Sequence, residues 1–235
     1  MPNGSLDKLL YSNKKSNLDW FHLFRILRGV ASGLLYLHEE WEQVVLHRDI
    51  KPGNVLLDAD LNGKLGDFGV ARLHDHGSNS QTTKLVGTIG YMAPELPTTE
   101  KASTSTDVYS FGVFMLEVAS GKRPMEQRGF VIDCWRRGAI LDASDPILEG
   151  TFPEDQMELV LELGLFCSHS NQTARPSMRQ VMQYLDGDAK FLVDIPYDNV
   201  IDFFLATNKS SDMVLFTPFS GSCSSQIIST MIQSS

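Results

Sequence analysis

Three short blocks of the 235-residue chain hold the side chains best suited to chemistry. The first is His47-Arg48-Asp49-Ile50-Lys51-Pro52-Gly53-Asn54, the second Asp67-Phe68-Gly69 and the third Ala93-Pro94-Glu95. They offer a general base, a cation that can neutralise phosphate and two hard oxygen ligands of the kind magnesium prefers, at spacings that phosphoryl transfer can use. That reaction asks a protein for little covalent chemistry and for accurate placement of charge. A lone His-Arg-Asp or Asp-x-Gly arises by chance in many chains, whereas the ordered set is specific because each block adds weight to the others.

The elements that must position these blocks can be read from hydrophobic period. Asn17 and Asp19 are candidate caps for a helix over Trp20 to His38, in which Phe21, Phe24, Leu27, Val30, Leu34 and Leu37 form an apolar stripe expected to face the core. The period then changes. Val44-Val45-Leu46, Val55-Leu56-Leu57 and Lys64-Leu65 are short apolar pieces cut by Gly, Asp and Pro, which predicts small strands and loops around the reactive blocks. Helical spacing returns over Val108 to Ala119, with Phe111, Phe114, Met115 and Val118 on one face, over Gln156 to Cys167, and over Ser177 to Leu185 after Arg175-Pro176. Beyond Asp186 the pattern decays, and the Ser/Thr-rich stretch from Ser210 predicts a tail with little structure.

With 42% hydrophobic and 9% aromatic residues the composition is that of a globular protein. A net charge of −9 argues against a nucleic-acid partner, which calls for a basic stripe to neutralise phosphates. The three cysteines are widely spaced and form no Cys-x-x-Cys, so neither a disulfide framework nor a zinc site is expected. The N-terminus has no signal-peptide pattern, and no apolar run reaches the roughly 18 residues of a membrane span. On its own the chain is expected to be cytoplasmic.

The motifs together resemble those of a protein kinase, and in more detail those of the plant receptor-like kinases: Met1-Pro-Asn-Gly-Ser-Leu6, His47 to Asn54, Leu65-Gly-Asp-Phe-Gly-Val-Ala-Arg72 and Asp107-Val-Tyr-Ser-Phe-Gly112. The stretch from Gly87-Thr-Ile-Gly-Tyr-Met-Ala-Pro-Glu95 to Asp107 is similar to the legume-lectin (L-type lectin) receptor kinases. The resemblance covers Met1 to about Leu185 and implies roles. Asp49 would accept the substrate hydroxyl proton, Lys51 would reach the transferring phosphate, and Asn54 and Asp67 would bind Mg2+. Met1 would lie near the adenine of ATP, Asp7 near the ribose and Leu56 beneath the base. Lys51 and Gly87-Thr88 are the forms associated with Ser/Thr specificity. Arg48 would be neutralised by a phosphate on the activation segment, for which Thr82, Thr83 and Thr88 are candidates. Glu95 would pair with Arg175, and Asp107 would hydrogen-bond the backbone around His47 and Arg48.

Two departures from the family are expected. Only 48 residues precede Asp49, and they contain no G-x-G-x-x-G loop and no lysine on an apolar strand, so the ATP-covering small lobe is expected to be absent from this chain. Between Gly129 and Gly138 the family pattern is longer, by roughly a turn or more of helix. Other features read as surface or packing. His74-Asp-His76 has no third ligand nearby, Gly29 and Gly33 sit on an amphipathic helix and suit close packing, and the sequons at Asn171 and Asn208 have no meaning in a cytoplasmic lobe.

The expected fold is thus mainly α, a kinase-like large lobe over residues 1–188 with a few short β-strands, followed by a poorly ordered tail over 189–235. The expected function is phosphorylation of protein Ser or Thr from Mg-ATP, with the isolated chain inactive. The alternatives are a non-catalytic lobe that binds a small lobe or another kinase through its exposed face, or an incomplete gene model of a full lectin receptor kinase. Family members sit at the plasma membrane with the kinase on the cytoplasmic side.

Overall fold

The helix α4, Thr104–Ser120, is buried on every side from Thr106 to Ser120 and forms the axis of the molecule. The computed structural model describes residues 1–11, 18–74, 86–148 and 150–189. Alongside α4 runs α6, Glu154–Cys167, and two glycines set their separation. A Cβ on Gly112 would come within 2.7 Å of the Gly164 carbonyl oxygen, and one on Gly164 within 2.7 Å of Leu116 Cδ2. The start of α4 is closed by a capping box between Ser103 and Thr106, and it ends at Gly121 in the left-handed conformation, φ 66°.

Asp19 caps α2, Trp20–Leu35, by accepting a 3.0 Å bond from the His22 amide. Trp20, Leu23, Ile26, Leu27, Val30, Ala31 and Leu34 form its buried face. Phe21 departs from the expected core stripe and is 66% exposed beneath the Arg25 guanidinium. It lies two residues, about 200°, around the helix from Leu23, and so outside the face that packs. A π turn, Tyr36–Glu40, ends the helix and carries the buried His38. The Asn17 cap lies outside the described residues.

The strands form two small antiparallel pairs. Strand β1, Val44–Leu46, pairs with β4, Arg72–His74, in the register Val45 to Leu73; β2, Val55–Leu57, pairs with β3, Gly63–Leu65, in the register Leu56 to Lys64. The Asp49 block leaves β1 and enters β2, and the Asp67 block runs from β3 to β4, so the pairing places both reactive loops at one end of the strands. The short helix α1, Leu6–Leu10, precedes them, with Ser5 bridged to Leu56.

Three helices complete the lobe: α3, Leu96–Thr99, α5, Pro124–Arg136, and α7, Met178–Asp186. Among these the one-turn α3 and the longer α5 were not expected from hydrophobic period, and α5 is the larger departure. It buries Gln127, Arg128, Val131, Ile132 and Cys134, and two polar residues in that face hide its helical spacing. The mainly helical fold with a few short strands agrees with the sequence reading. The tail, but for Ala189, lies outside the described residues. Among the described residues no helix is long and apolar enough to cross a membrane.

Candidate active site

Asp107, in the first turn of α4, organises the catalytic block from below. Its Oδ2 accepts from the His47 amide at 2.7 Å and its Oδ1 from the Arg48 amide at 2.8 Å. His38 Nε2 sits 3.0 Å from Oδ2. Burial pushes the Asp107 carboxyl upward, but the His38 hydrogen bond and charge, with His47 and the Arg48 amide, hold it below the usual carboxylate range. Two charge-assisted bonds to successive amides help hold Arg48 at φ 72°, a left-handed conformation that is unfavourable for a non-glycine residue. The resemblance anticipated the Asp107 contacts; His38, from the π turn that follows α2, it did not.

Above that support, Asp49, Lys51, Asn54 and Thr88 converge. Lys51 Nζ donates to Asp49 Oδ2 and to Thr88 Oγ1, each at 2.7 Å, and Thr88 Oγ1 donates to Asp49 Oδ1 at 2.7 Å. The Asn54 amide nitrogen donates to the Asp49 carbonyl at 2.8 Å and to Asp49 Oδ2 at 2.9 Å. Burial again pushes the carboxyl up, and bonds from Lys51, Thr88 and Asn54 bring Asp49 below its ordinary value. The Asn54 nitrogen is committed, which leaves its oxygen for a cation. The resemblance cast Thr88 as a modification candidate and, with Gly87, as a mark of Ser/Thr specificity; in the structure its hydroxyl bridges Asp49 and Lys51. No local signal reveals this, because 39 residues separate Thr88 from Asp49.

His47 joins this group to the Asp67 block. The Asp49 amide donates to His47 Nδ1 at 3.4 Å, so Nε2 carries the proton and donates to the Gly66 carbonyl at 2.9 Å. Burial lowers the His47 pKa and keeps the ring neutral, which that arrangement requires. Its ring meets Phe68 edge-on at 4.9 Å. The Gly66 amide donates to the Asn54 carbonyl at 2.8 Å, and a Cβ on Gly66 would lie 3.0 Å from Leu56 Cδ1, a tight contact to which the leucine side chain would have to yield. Asp67 then turns outward at φ 58°; its carboxylate is exposed and accepts a 3.4 Å bond from the Gly69 amide. Among the described residues no group of three or more His, Cys, Asp or Glu is arranged to hold a metal. Asp67 and Asn54 would offer one carboxylate and one amide oxygen, a donor set that suits an ion which keeps several waters and takes the rest of its shell from phosphate.

The other predicted residues surround this centre. Arg48 Nη1 donates to the Val70 carbonyl at 3.1 Å, and burial and the nearby Arg72 charge lower the Arg48 pKa. Two cations so placed attract an anion; Thr82 and Thr83 lie outside the described residues. The Asn3 amide donates to the Leu57 carbonyl at 3.4 Å and the Leu57 amide to Gly4 at 2.9 Å, which lays the segment from the exposed Met1 along the half-buried Leu56. Asp7 is near the catalytic loop, since a Cβ on Gly53 would lie 3.8 Å from the Lys51 side chain and 3.9 Å from the Asp7 carboxyl carbon. Glu95 and Arg175 form the expected pair, bidentate at 2.7 Å and 2.7 Å.

An ionised carboxylate that shares a hydroxyl and an ammonium can orient an incoming hydroxyl and face developing phosphate charge with the lysine. This centre lies within residues 1–185, which match the protein kinase domain. The chain belongs to that family. It is closely related to plant L-type lectin-domain receptor kinases. One from Oryza sativa subsp. japonica, SIT2, is 60% identical over 197 residues, covering 80% of this chain and 29% of the relative. The Arabidopsis thaliana receptor kinase IV.2 is 59% identical over 199 residues, covering 80% and 29%. Receptor kinase IV.1 from the same plant is 50% identical over 242 residues, covering 95% and 36%. This kinase chain therefore spans about a third of the length of the curated relatives it matches.

Proposed function

We propose that this kinase domain transfers the γ-phosphoryl group of Mg-ATP to Ser or Thr of a protein. The observation that carries this reading is the triangle of Asp49, Lys51 and Thr88, in which one hydroxyl touches both base and cation. An acceptor hydroxyl that displaces the Thr88 contact would find the carboxylate ready to orient it and take its proton. Because Asp49 is held below the usual carboxylate range it is ionised at neutral pH, and it is a weak base whose main contribution is orientation. Lys51 would neutralise charge on the transferring group. Asn54 and Asp67 would hold the magnesium ion, which on binding supplies charge neutralisation at the phosphates. Met1, Asp7 and Leu56 would line one wall for adenine and ribose. Arg48 and Arg72 would receive a phosphate on the segment between β4 and Thr88, tying activation to the catalytic loop.

Positioning supplies much of the rate in phosphoryl transfer, and a nucleotide held on one side only would lose that advantage. The test compares this chain with a fusion carrying the small lobe of a related kinase ahead of Met1, using labelled ATP and a generic Ser/Thr protein. We expect negligible transfer by the chain alone, activity in the fusion, and loss of that activity in Asp49→Asn. In the same fusion Asp67→Asn is expected to abolish the magnesium dependence of ATP binding, measured by isothermal titration. An inactive fusion, or Mg-ATP affinity unmoved by Asp67→Asn, would refute the assignment.

A further inference from the structure

Glu117, on α4, is buried with 2% of its surface exposed, and tyrosine hydroxyls hold both carboxylate oxygens. Tyr11 donates to Oε1 and Tyr91 to Oε2. The two tyrosines come from distant parts of the chain, 106 and 26 residues from Glu117. Tyr11 follows α1, the helix that carries Asp7, and its ring lies under the Arg123 guanidinium at 4.4 Å. Tyr91 ends the turn that begins at Thr88: its amide donates to the Thr88 carbonyl at 3.1 Å, and its own carbonyl accepts from Ser110 Oγ at 2.7 Å. Thr88 in turn contacts Asp49 and Lys51. A continuous series of hydrogen bonds thus runs from Tyr11 to the catalytic carboxylate, through one buried side chain and one turn.

A buried carboxylate must keep its donors, because an oxygen left without one in a low-dielectric interior costs more than the bond itself contributes. Burial raises the Glu117 pKa, the two hydroxyls and the nearby Arg123 charge oppose that rise, and the Asp7 charge adds to it. Loss of the Tyr11 hydroxyl would leave Oε1 unpaired on the α1 side and draw the side chain toward water, away from Tyr91. We propose that Tyr11 is a positioning residue for the phosphoacceptor side of the site: through Glu117 and Tyr91 it holds the Thr88 turn against Asp49 and Lys51. Its consequence for catalysis rests on the kinase reading above; the mechanical coupling does not.

Hydrogen exchange in the 235-residue chain separates the two. In Tyr11→Phe the amides of the Thr88–Tyr91 turn should exchange roughly five-fold faster or more, the cost of about one hydrogen bond, while α6 and α7 exchange at the wild-type rate. Tyr91→Phe should give the same increase, and the double variant no further one, since both act on a single series of bonds. Glu117→Gln should retain wild-type exchange, because an amide can accept from one tyrosine and donate to the other, whereas Glu117→Leu should accelerate it. Arg123→Ala, which uncovers the Tyr11 ring and leaves its hydroxyl intact, should move the turn in the same direction by less. In the small-lobe fusion Tyr11→Phe should raise KM for the protein substrate roughly five-fold and change KM for ATP by less than about two-fold, as expected of a residue acting on the acceptor side alone. Wild-type exchange of the turn in Tyr11→Phe would overturn the proposal. An inactive fusion would count against the kinase reading and leave the exchange result standing.

Discussion

Replacing Arg175 by alanine removes a side chain that touches three separate segments. The Arg175 side chain is fully buried and Glu95 is 16% exposed. All five guanidinium N–H groups find acceptors: Nη1 and Nη2 take the two Glu95 oxygens at 2.7 Å each, Nε takes the His169 carbonyl at 2.7 Å, and the remaining two reach the Ser105 carbonyl at 3.0 Å and the Ser170 carbonyl at 3.3 Å. The cation also lies 4.8 Å from the Tyr109 ring centroid. Arg175→Ala would leave a carboxylate with little access to water and three carbonyls short of a donor. Breaking a buried pair in this way costs about 3 to 5 kcal/mol, whereas an exposed pair contributes roughly 0 to 1. Arg175→Lys keeps the charge but not the fork, and should lose an intermediate amount, about 1 to 3 kcal/mol. Urea unfolding followed by circular dichroism would measure both. A loss under about 1 kcal/mol for Arg175→Ala would mean that the pair behaves as a surface contact and that the burial argument is wrong.

Two further predictions address the helical axis and its buried acid. Gly112→Ala would place a Cβ 2.6 Å from the Ser168 amide nitrogen and 2.7 Å from both Cys167 Cβ and the Gly164 oxygen, so α4 and α6 must separate; a loss of about 1 to 3 kcal/mol is expected in the same urea assay, and a neutral result would refute the close approach. Glu117 has a raised pKa in the folded state, so its contribution to stability is present below the unfolded carboxyl value and is lost as pH rises through the folded one. Glu117→Gln, which keeps both tyrosine partners, should therefore match the wild type in melting temperature near pH 4 and exceed it at pH 8; a difference independent of pH would refute the assignment.

How much of this was legible in advance depended on where the partners lie along the chain. Asp49, Lys51 and Asn54 fall within one short loop, so covalent spacing alone keeps them together, and their types name the chemistry. The helices α2, α6 and α7 announce themselves because each buries apolar residues at helical period, and α4, buried on every side, does so by a long apolar run. Asp107 beneath the catalytic loop and Glu95 against Arg175 were accessible only through resemblance, since nothing local links residues 59 or 80 positions apart. Strand β4 and helix α5 escaped the pattern: Arg72 and Leu73 are exposed, and α5 buries Gln127 and Arg128. Such elements form because a partner strand or a packed neighbour satisfies them.

The sequence by itself determined the family and the candidate site residues with their order along the chain, because these depend on residue type and short covalent spacing. Only the tertiary structure decided that the Thr88 hydroxyl bridges Asp49 and Lys51, that His38 shares the Asp107 carboxylate, and that Tyr11 and Tyr91 meet on Glu117. In each case the partners are distant in the chain, and a buried polar atom accepts whichever donor the packing of helices delivers to it. That requirement for satisfaction in a low-dielectric interior is a property of the fold and leaves no local mark on the sequence.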